Sequence, residues 1–205
     1  IHNGHLRICK AAAKKYNAKI IFVPSKSPRW KNPSEDINHR LNMLKLALKG
    51  ADFSYEICDF EINSNSDINY SIDTVKYLKN IYKDEKLYFL IGEDQVNQFD
   101  KWKDAKELSN LVQIVCTNRP DSRINNKIIK EYKMENLNFY KSGDVSSTKI
   151  RGLESVDLPF DVLMYIEQNR LYFIKQLSEY LAEKRLNHSI EVANLALKVA
   201  ISNKL

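Results

Sequence analysis

The chain predicts an α/β fold: a parallel sheet with helices on both faces, followed by a helical C-terminal appendage. Two apolar runs, 18–24 and Leu87 to Ile91, are continuous rather than alternating, as in strands buried on both faces. Helical patterns separate the strands, which calls for crossover connections and hence parallel pairing. From about Phe173 the strands cease and only helical patterns follow.

Taken in order, a helix over 6–16 (Leu6, Cys9, Ala13, Tyr16) leads to the strand at 18–24. A Pro/Ser/Lys loop over 25–34 ends in Asn32-Pro33-Ser34-Glu35, which reads as a capping box for a helix striped with Leu41, Leu44 and Leu48 and stopped at Gly50. A strand over 53–60, a polar loop from Ile62 to Asn69 and a helix from Ser71 to Tyr82 follow. After the Leu87–Ile91 strand come a helix, the Trp102 segment and a strand over 111–117. A helix over 124–134, a short strand over 137–141, a helix capped at 145–148 and a helix over 160–168 complete the pattern. It divides the chain into 1–172 and a truncated helical segment, 173–205.

The 205 residues suffice for one good core. A net charge of +6 suits polyphosphate ligands, but the 32 basic residues are scattered among 26 acidic ones. No arginine-rich or aromatic-spaced basic stripe marks a nucleic-acid partner, and no apolar run approaches a membrane span. Cys9, Cys58 and Cys116 each sit in an apolar element without a CxxC partner. They read as small buried residues of a reducing, cytoplasmic compartment rather than as disulfides or metal ligands. Only five glycines occur, at 4, 50, 92, 143 and 152, and neither GxxxxGK[ST] nor GxGxxG is present. A bound nucleotide would therefore be held by histidines, helix N-termini and Lys or Arg.

His2-Asn3-Gly4-His5 provides such a place. Two imidazoles three residues apart share one helical face, beside backbone N–H groups at the positive end of the first helix. An Asn-Gly hairpin is the plain alternative, but no alternating strand follows Gly4. Ser146-Ser147-Thr148 offers further N–H and hydroxyl donors, and Arg151, one turn on, a fork-shaped cation. Without that arginine the Ser-Ser-Thr run is an ordinary helix cap. Trp102 offers an indole able to stack on an aromatic ring, or is simply a half-buried surface residue.

His2-x-Gly4-His5 resembles the HxGH signature of the nucleotidylyltransferase superfamily, and 146–151 resembles the SSTxIR motif that closes the same site. Gly92-Glu93-Asp94 with Lys101-Trp102 resembles the GxD…KW segment of bacterial nicotinate mononucleotide adenylyltransferases. The motifs stand in the family's order, over residues 1 to about 172. The resemblance implies a Rossmann-like sheet and adenylyl transfer from ATP, accompanied by Mg²⁺, to nicotinate mononucleotide. It assigns His2, His5 and Arg151 to catalysis, and these with Gly92, Asp94, Ser146, Ser147 and Thr148 to ATP. It assigns Lys31, Tyr70, Ser71, Thr74, Trp102 and Arg119 to the acceptor. Tyr70–Thr74 is similar to the family's SYTxDT stretch, with Ser71 in place of Thr. Pro24–Lys31 is similar to its PxxxPPHK loop, with Trp30 in place of His. Glu93 replaces the small residue inside GxD.

Two other readings stay open: another HxGH enzyme, such as a pantetheine-phosphate adenylyltransferase, or a nucleotide-binding regulatory module. In the family a glycine-rich strand-turn precedes HxGH, so a chain that opens inside the motif is expected to be a piece of a longer protein. Arg185-Leu186-Asn187-His188-Ser189 resembles the first metal-ligand helix of HD-family phosphohydrolases, although one histidine makes no metal site.

Overall fold

The computed structural model describes residues 1–26, 35–66, 68–117, 125–137, 147–151, 157–172 and 182–202. The chain forms two compact units, Ile1–Pro159 and Phe160–Leu205.

In the first unit, α1 (Asn3–Tyr16) is followed by β1 (Ile20–Phe22), α2 (Ile37–Leu48), β2 (Tyr55–Ile57), α3 (Phe60–Asn63) and α4 (Ser71–Ile81). Then come β3 (Tyr88–Gly92), α5 (Glu93–Val96), a 3₁₀ turn (Phe99–Lys101), α6 (Ala105–Leu111), β4 (Gln113–Thr117), α7 (Asn126–Glu131), β5 (Glu135–Asn136) and α8 (Ser147–Arg151). The second unit holds α9 (Phe160–Asn169) and α10 (Glu183–Ser202). The boundary between units thus precedes α9, whereas the sequence pattern changes only after residue 172.

Every described strand pair is parallel, as the continuous apolar runs require. The strands form two sheets, β1–β2 and β3–β4–β5. In the second, Tyr88 lies opposite Gln113 and Gly92 opposite Thr117, so the two chains leave the sheet together at one edge. The main core packs β3 and β4 against α4, α5, α6 and α7. At its centre are Ile72, Val96, Phe99, Leu108 and Ile114, none more than 1% exposed. Burying each such side chain stabilises the fold by about 1.5–3 kcal/mol.

A second cluster joins α1 to the sheet. Ala12 packs with Val115 and Leu137, bordered by Ile8, Tyr16, Ile20, Tyr88 and Leu90. Tyr16, at the last turn of α1, stacks on Tyr88, at the first residue of β3, with ring centres 4.2 Å apart. α1 therefore runs back along the sheet for about 21 Å at 1.5 Å per residue. Its first turn, with the two histidines, points toward the edge where β3 and β4 end. Asn17 closes the other end: its N–H makes the last helical bond, to Ala13 O, and its left-handed backbone (φ 47°) turns the Ala18 N–H back to the same oxygen at 3.1 Å.

Three boundaries differ from expectation. α2 starts at Ile37 and is capped by Asp36, whose carboxylate accepts from the Asn38 N–H at 2.7 Å, rather than by the Asn32–Glu35 box. β2 covers only Tyr55–Ile57 of the strand expected over 53–60, and the one-turn helix α3 starts at Phe60 and runs into the expected loop at Ile62 and Asn63. The short fifth strand begins at Glu135, two residues before the expected start, with the Leu137 N–H still bonding Cys116 O at 2.9 Å; residues 138–141 of the expected strand lie outside the described residues.

Candidate active site

The first turn of α1 is a reciprocal cap built from the two histidines. His2 is the N-cap in extended conformation (φ −145°, ψ 167°), and His5 is the third helical residue. The His2 backbone N–H donates to His5 Nδ1 at 3.3 Å, and the rings lie 3.7 Å apart, tilted by 30°. His2 is 4% exposed, whereas His5 faces solvent. One imidazole thus supports the turn from within and the other borders open space, beside N–H groups that carry the positive end of the helix.

Arg151 closes α8 and lies at the same place. It lies near the backbone nitrogen of Ile1, the residue before His2. The α8 helix also contains Ser147, half-buried, and Thr148. Ser146 and the Thr148 side chain lie outside the described residues, as do Lys31, Trp30 and Arg119.

Gly92 ends β3 and caps α5. Its φ of −78° suits any residue, so glycine here supplies room. A Cβ would come within 2.8 Å of Asp94 Oδ1, because the Asp94 carboxylate folds back over the strand end. Its other oxygen accepts from Gln95 Nε2 at 2.9 Å. Asp94 is exposed at the edge toward which α1 points.

The residues expected to hold the acceptor fall into two groups. Tyr70 caps α4, and Lys103 Nζ stands 4.3 Å from the centre of its ring and 3.8 Å from Asp73. Ser71 opens the helix and is half-buried. Thr74 is only 3% exposed, and its hydroxyl donates to Glu61 Oε1 at 2.7 Å. Asn69 Nδ2 also donates to the Glu61 carbonyl at 3.0 Å, so α3 fixes the start of α4 at two points. Trp102 follows the 3₁₀ turn, with Phe99 5.2 Å away and Phe89 edge-on at 6.1 Å. The indole is half-buried, held against the core and accessible on its remaining surface.

Asp157 is a site feature that the motifs did not reveal. Its carboxylate accepts from Arg7 Nη2 at 2.7 Å and from Asn3 Nδ2 at 2.9 Å, and its carbonyl accepts the Asn3 N–H at 3.1 Å. The Arg7 guanidinium first, with Asn3 and His2 adding to it, holds this carboxyl below the usual range. Asn3 and Arg7 stand at i and i+4, so their shared face was legible; their partner, 150 residues beyond Arg7, was not.

Among the described residues no group of three His, Cys, Asp or Glu side chains is placed to hold a metal ion, and no helix is long and apolar enough to cross a membrane. Cys9, Cys58 and Cys116 are free and buried.

Comparison with known proteins places this arrangement in a family. The cytidylyltransferase-like family model matches residues 1–153. A Mycoplasma genitalium protein named probable nicotinate-nucleotide adenylyltransferase/Ap4A hydrolase is 36% identical over the whole chain, which spans 58% of that relative's length. A Borreliella burgdorferi protein named probable nicotinate-nucleotide adenylyltransferase is 33% identical over 85% of the chain and 92% of its own length. The fold matches Plasmodium falciparum nicotinic acid mononucleotide adenylyltransferase, solved in complex with NaAD, with a TM-score of 0.67 at 16% identity, over 84% of this chain and 91% of that one. The ordered motifs, the parallel α/β architecture and the extent of these matches lead to one assignment: the chain belongs to the cytidylyltransferase-like family and, within it, to the group named nicotinate-nucleotide adenylyltransferases.

Proposed function

We propose that the protein transfers the adenylyl group of ATP to nicotinate mononucleotide, giving nicotinate adenine dinucleotide and pyrophosphate. The observation that carries this reading is the paired-histidine first turn of α1, with Arg151 beside it. Names borne by relatives at 33% and 36% identity support the choice of acceptor.

In this reaction a 5′-phosphate oxygen of the mononucleotide bonds to the α-phosphorus of ATP as the bond to the β-phosphate oxygen breaks. The attacking phosphate is ionised near neutral pH, so no general base or covalent nucleophile is needed. What remains is in-line positioning and stabilisation of charge building on the departing pyrophosphate. Imidazole N–H groups on α1, backbone N–H groups at the start of α8 and the Arg151 guanidinium suit the second task. Gly92 and Asp94 border the nucleotide, and Trp102 offers a stacking surface for the pyridine ring. Lys31, Ser146, Thr148 and Arg119 keep their proposed roles from the motif order alone.

The donors gathered here are N–H groups and cations, which fit phosphate oxygens rather than a metal. Mg²⁺ accordingly fits as a companion of ATP, held by its phosphates and easing charge on them. The three buried free cysteines suit a reducing compartment such as the cytoplasm.

The deciding experiment gives full-length protein ATP and Mg²⁺ with nicotinate mononucleotide, nicotinamide mononucleotide or phosphopantetheine in turn. Nicotinate mononucleotide should turn over fastest, and faster turnover of phosphopantetheine would overturn the reading.

A second activity is proposed for the longer protein. The relative that this chain spans by 58% also bears the name Ap4A hydrolase, and Arg185…His188-Ser189 lies on α10, with His188 exposed. We propose that α10 begins an HD-type phosphohydrolase domain. One histidine makes no metal site by itself. Full-length protein should hydrolyse diadenosine tetraphosphate, and His188→Ala should abolish that activity while sparing adenylyl transfer.

A further inference from the structure

We propose that Asp157 is a positioning residue for the adenylyl-transfer site, fixing the first turn of α1, and with it His2 and His5, against the chain that follows α8. The inference rests on the reading of the site as a nucleotide site and adds to it a residue outside the HxGH and SSTxIR motifs.

Three bonds carry it. The Asn3 N–H is one of the four donors that the start of a helix leaves without an internal partner, and the Asp157 carbonyl takes it at 3.1 Å. The two carboxylate oxygens then divide their work: Oδ1 receives Asn3 Nδ2 at 2.9 Å and Oδ2 receives Arg7 Nη2 at 2.7 Å. Residues 3 and 7 are one turn apart, so the carboxylate spans the turn that contains His5 and abuts His2.

Charge adds a second effect. A carboxylate near the positive end of a helix is favourable, and this one attracts a proton onto His2. Among the described residues, Arg7, Asn3 and His2 face Asp157. Among the described residues His5 and Asp157 face His2, and Arg151 lies near the neighbouring Ile1 backbone nitrogen. Removing the carboxylate charge should make His2 lose its proton at lower pH. Removing the Arg7 charge while keeping Asp157 should do the opposite. A clamp with a purely structural role would give no such opposed pair.

The test uses full-length protein with isotopically labelled histidine. NMR titration of His2 should give a midpoint lower by at least about half a pH unit in Asp157→Asn and higher in Arg7→Gln. In Asp157→Asn, kcat at neutral pH should fall about tenfold, with KM for ATP changed less than threefold, because orientation rather than uniform binding is lost. Asp157→Glu should recover the His2 midpoint in part. If Asp157→Asn does not fold, the rise in Arg7→Gln still decides. Midpoints unmoved in both variants, or a kcat loss that follows only a loss of melting temperature, would overturn the proposal. Should the wild-type protein transfer no adenylyl group, the functional reading fails, while the His2 titrations separately decide the role of Asp157.

Discussion

The backbone N–H of His2 bonds Nδ1 of His5 at 3.3 Å, and this bond sets the chemistry available to His5. An Nδ1 that accepts places the proton of neutral imidazole on Nε2. His5 therefore faces solvent with a donor, the form that its proposed role at a departing pyrophosphate calls for. The same contact is one half of a capping box, a position usually taken by Glu or Gln.

Two separable losses follow for His5→Ala. Losing one preorganised donor should lower kcat by about two to three orders of magnitude. Losing the cap should cost about 0.5–2 kcal/mol of stability. His5→Gln should regain much of the stability and little of the activity. Steady-state kinetics alongside thermal melts check both, and an unchanged kcat in His5→Ala would remove His5 from the mechanism.

Trp102 illustrates why a side chain with two duties needs a gentle substitution. Its indole meets Phe99 and Phe89, so Trp102→Ala should cost stability near the lower end of the ~3–5 kcal/mol typical of such truncations. Trp102→Phe retains an aromatic ring against the same neighbours. It should raise KM for the mononucleotide several-fold and leave kcat nearly unchanged, since stacking acts on ground and transition states alike. A KM change confined to ATP would place Trp102 on the wrong side of the site.

Gly92 and Asp94 form a coupled pair. The extra methyl of Gly92→Ala would sit 2.8 Å from Asp94 Oδ1, the end of a flexible side chain on an exposed residue. Rotation of Asp94 relieves that contact, so the melting temperature should hardly move. The carboxylate would then leave its present position, and KM for ATP should rise by about as much as in Asp94→Asn. The double variant should be no worse than either single one, the signature of residues acting as a unit. Additive losses would uncouple them.

How much of this was legible depended on whether a feature is local. The Leu87–Ile91 run identified β3 because unbroken apolar residues need cover on both faces, and the i, i+3 spacing of His2 and His5 put both in one turn. Trp102 was recognisable as an indole able to stack or to sit half-buried, and the structure shows it half-buried. Features set by distant partners were hidden. The α3 turn is only four residues long and is tied down through Glu61 by Thr74 and Asn69. Asp36 caps α2, a choice that composition alone leaves open, and residues 32–34 of the expected box lie outside the described residues. Thr74 was singled out as an acceptor contact, and the structure engages its hydroxyl with Glu61, a partner no motif indicates. Asp157 carries no signal of its own next to Leu158-Pro159 and acquires meaning only where the chain returns to α1.

The cysteines give a probe of folding that is independent of catalysis. Burial pushes the Cys9 thiol up to about 11 and raises Cys58 and Cys116 as well. At pH 8 only about one Cys9 in a thousand would be thiolate, against roughly a quarter for a free cysteine with pKa ≈ 8.5, and the thiolate is the reactive form. Because the fold favours the protonated thiol, this stabilisation is complete below the unfolded pKa. It is lost as pH rises through the folded value, so native protein should weaken above about pH 8.5. At pH 8, Cys9 should thus react with a thiol reagent chiefly through opening of the core around Ala12. Mg-ATP, binding only the folded form, should slow that reaction by the factor 1 + [L]/Kd. The check is to measure labelling of Cys9 by mass spectrometry across a series of Mg-ATP concentrations. Rapid labelling of the native protein, or a rate indifferent to Mg-ATP when opening limits it, would contradict the packing of α1 against Val115 and Leu137 or its link to the nucleotide site.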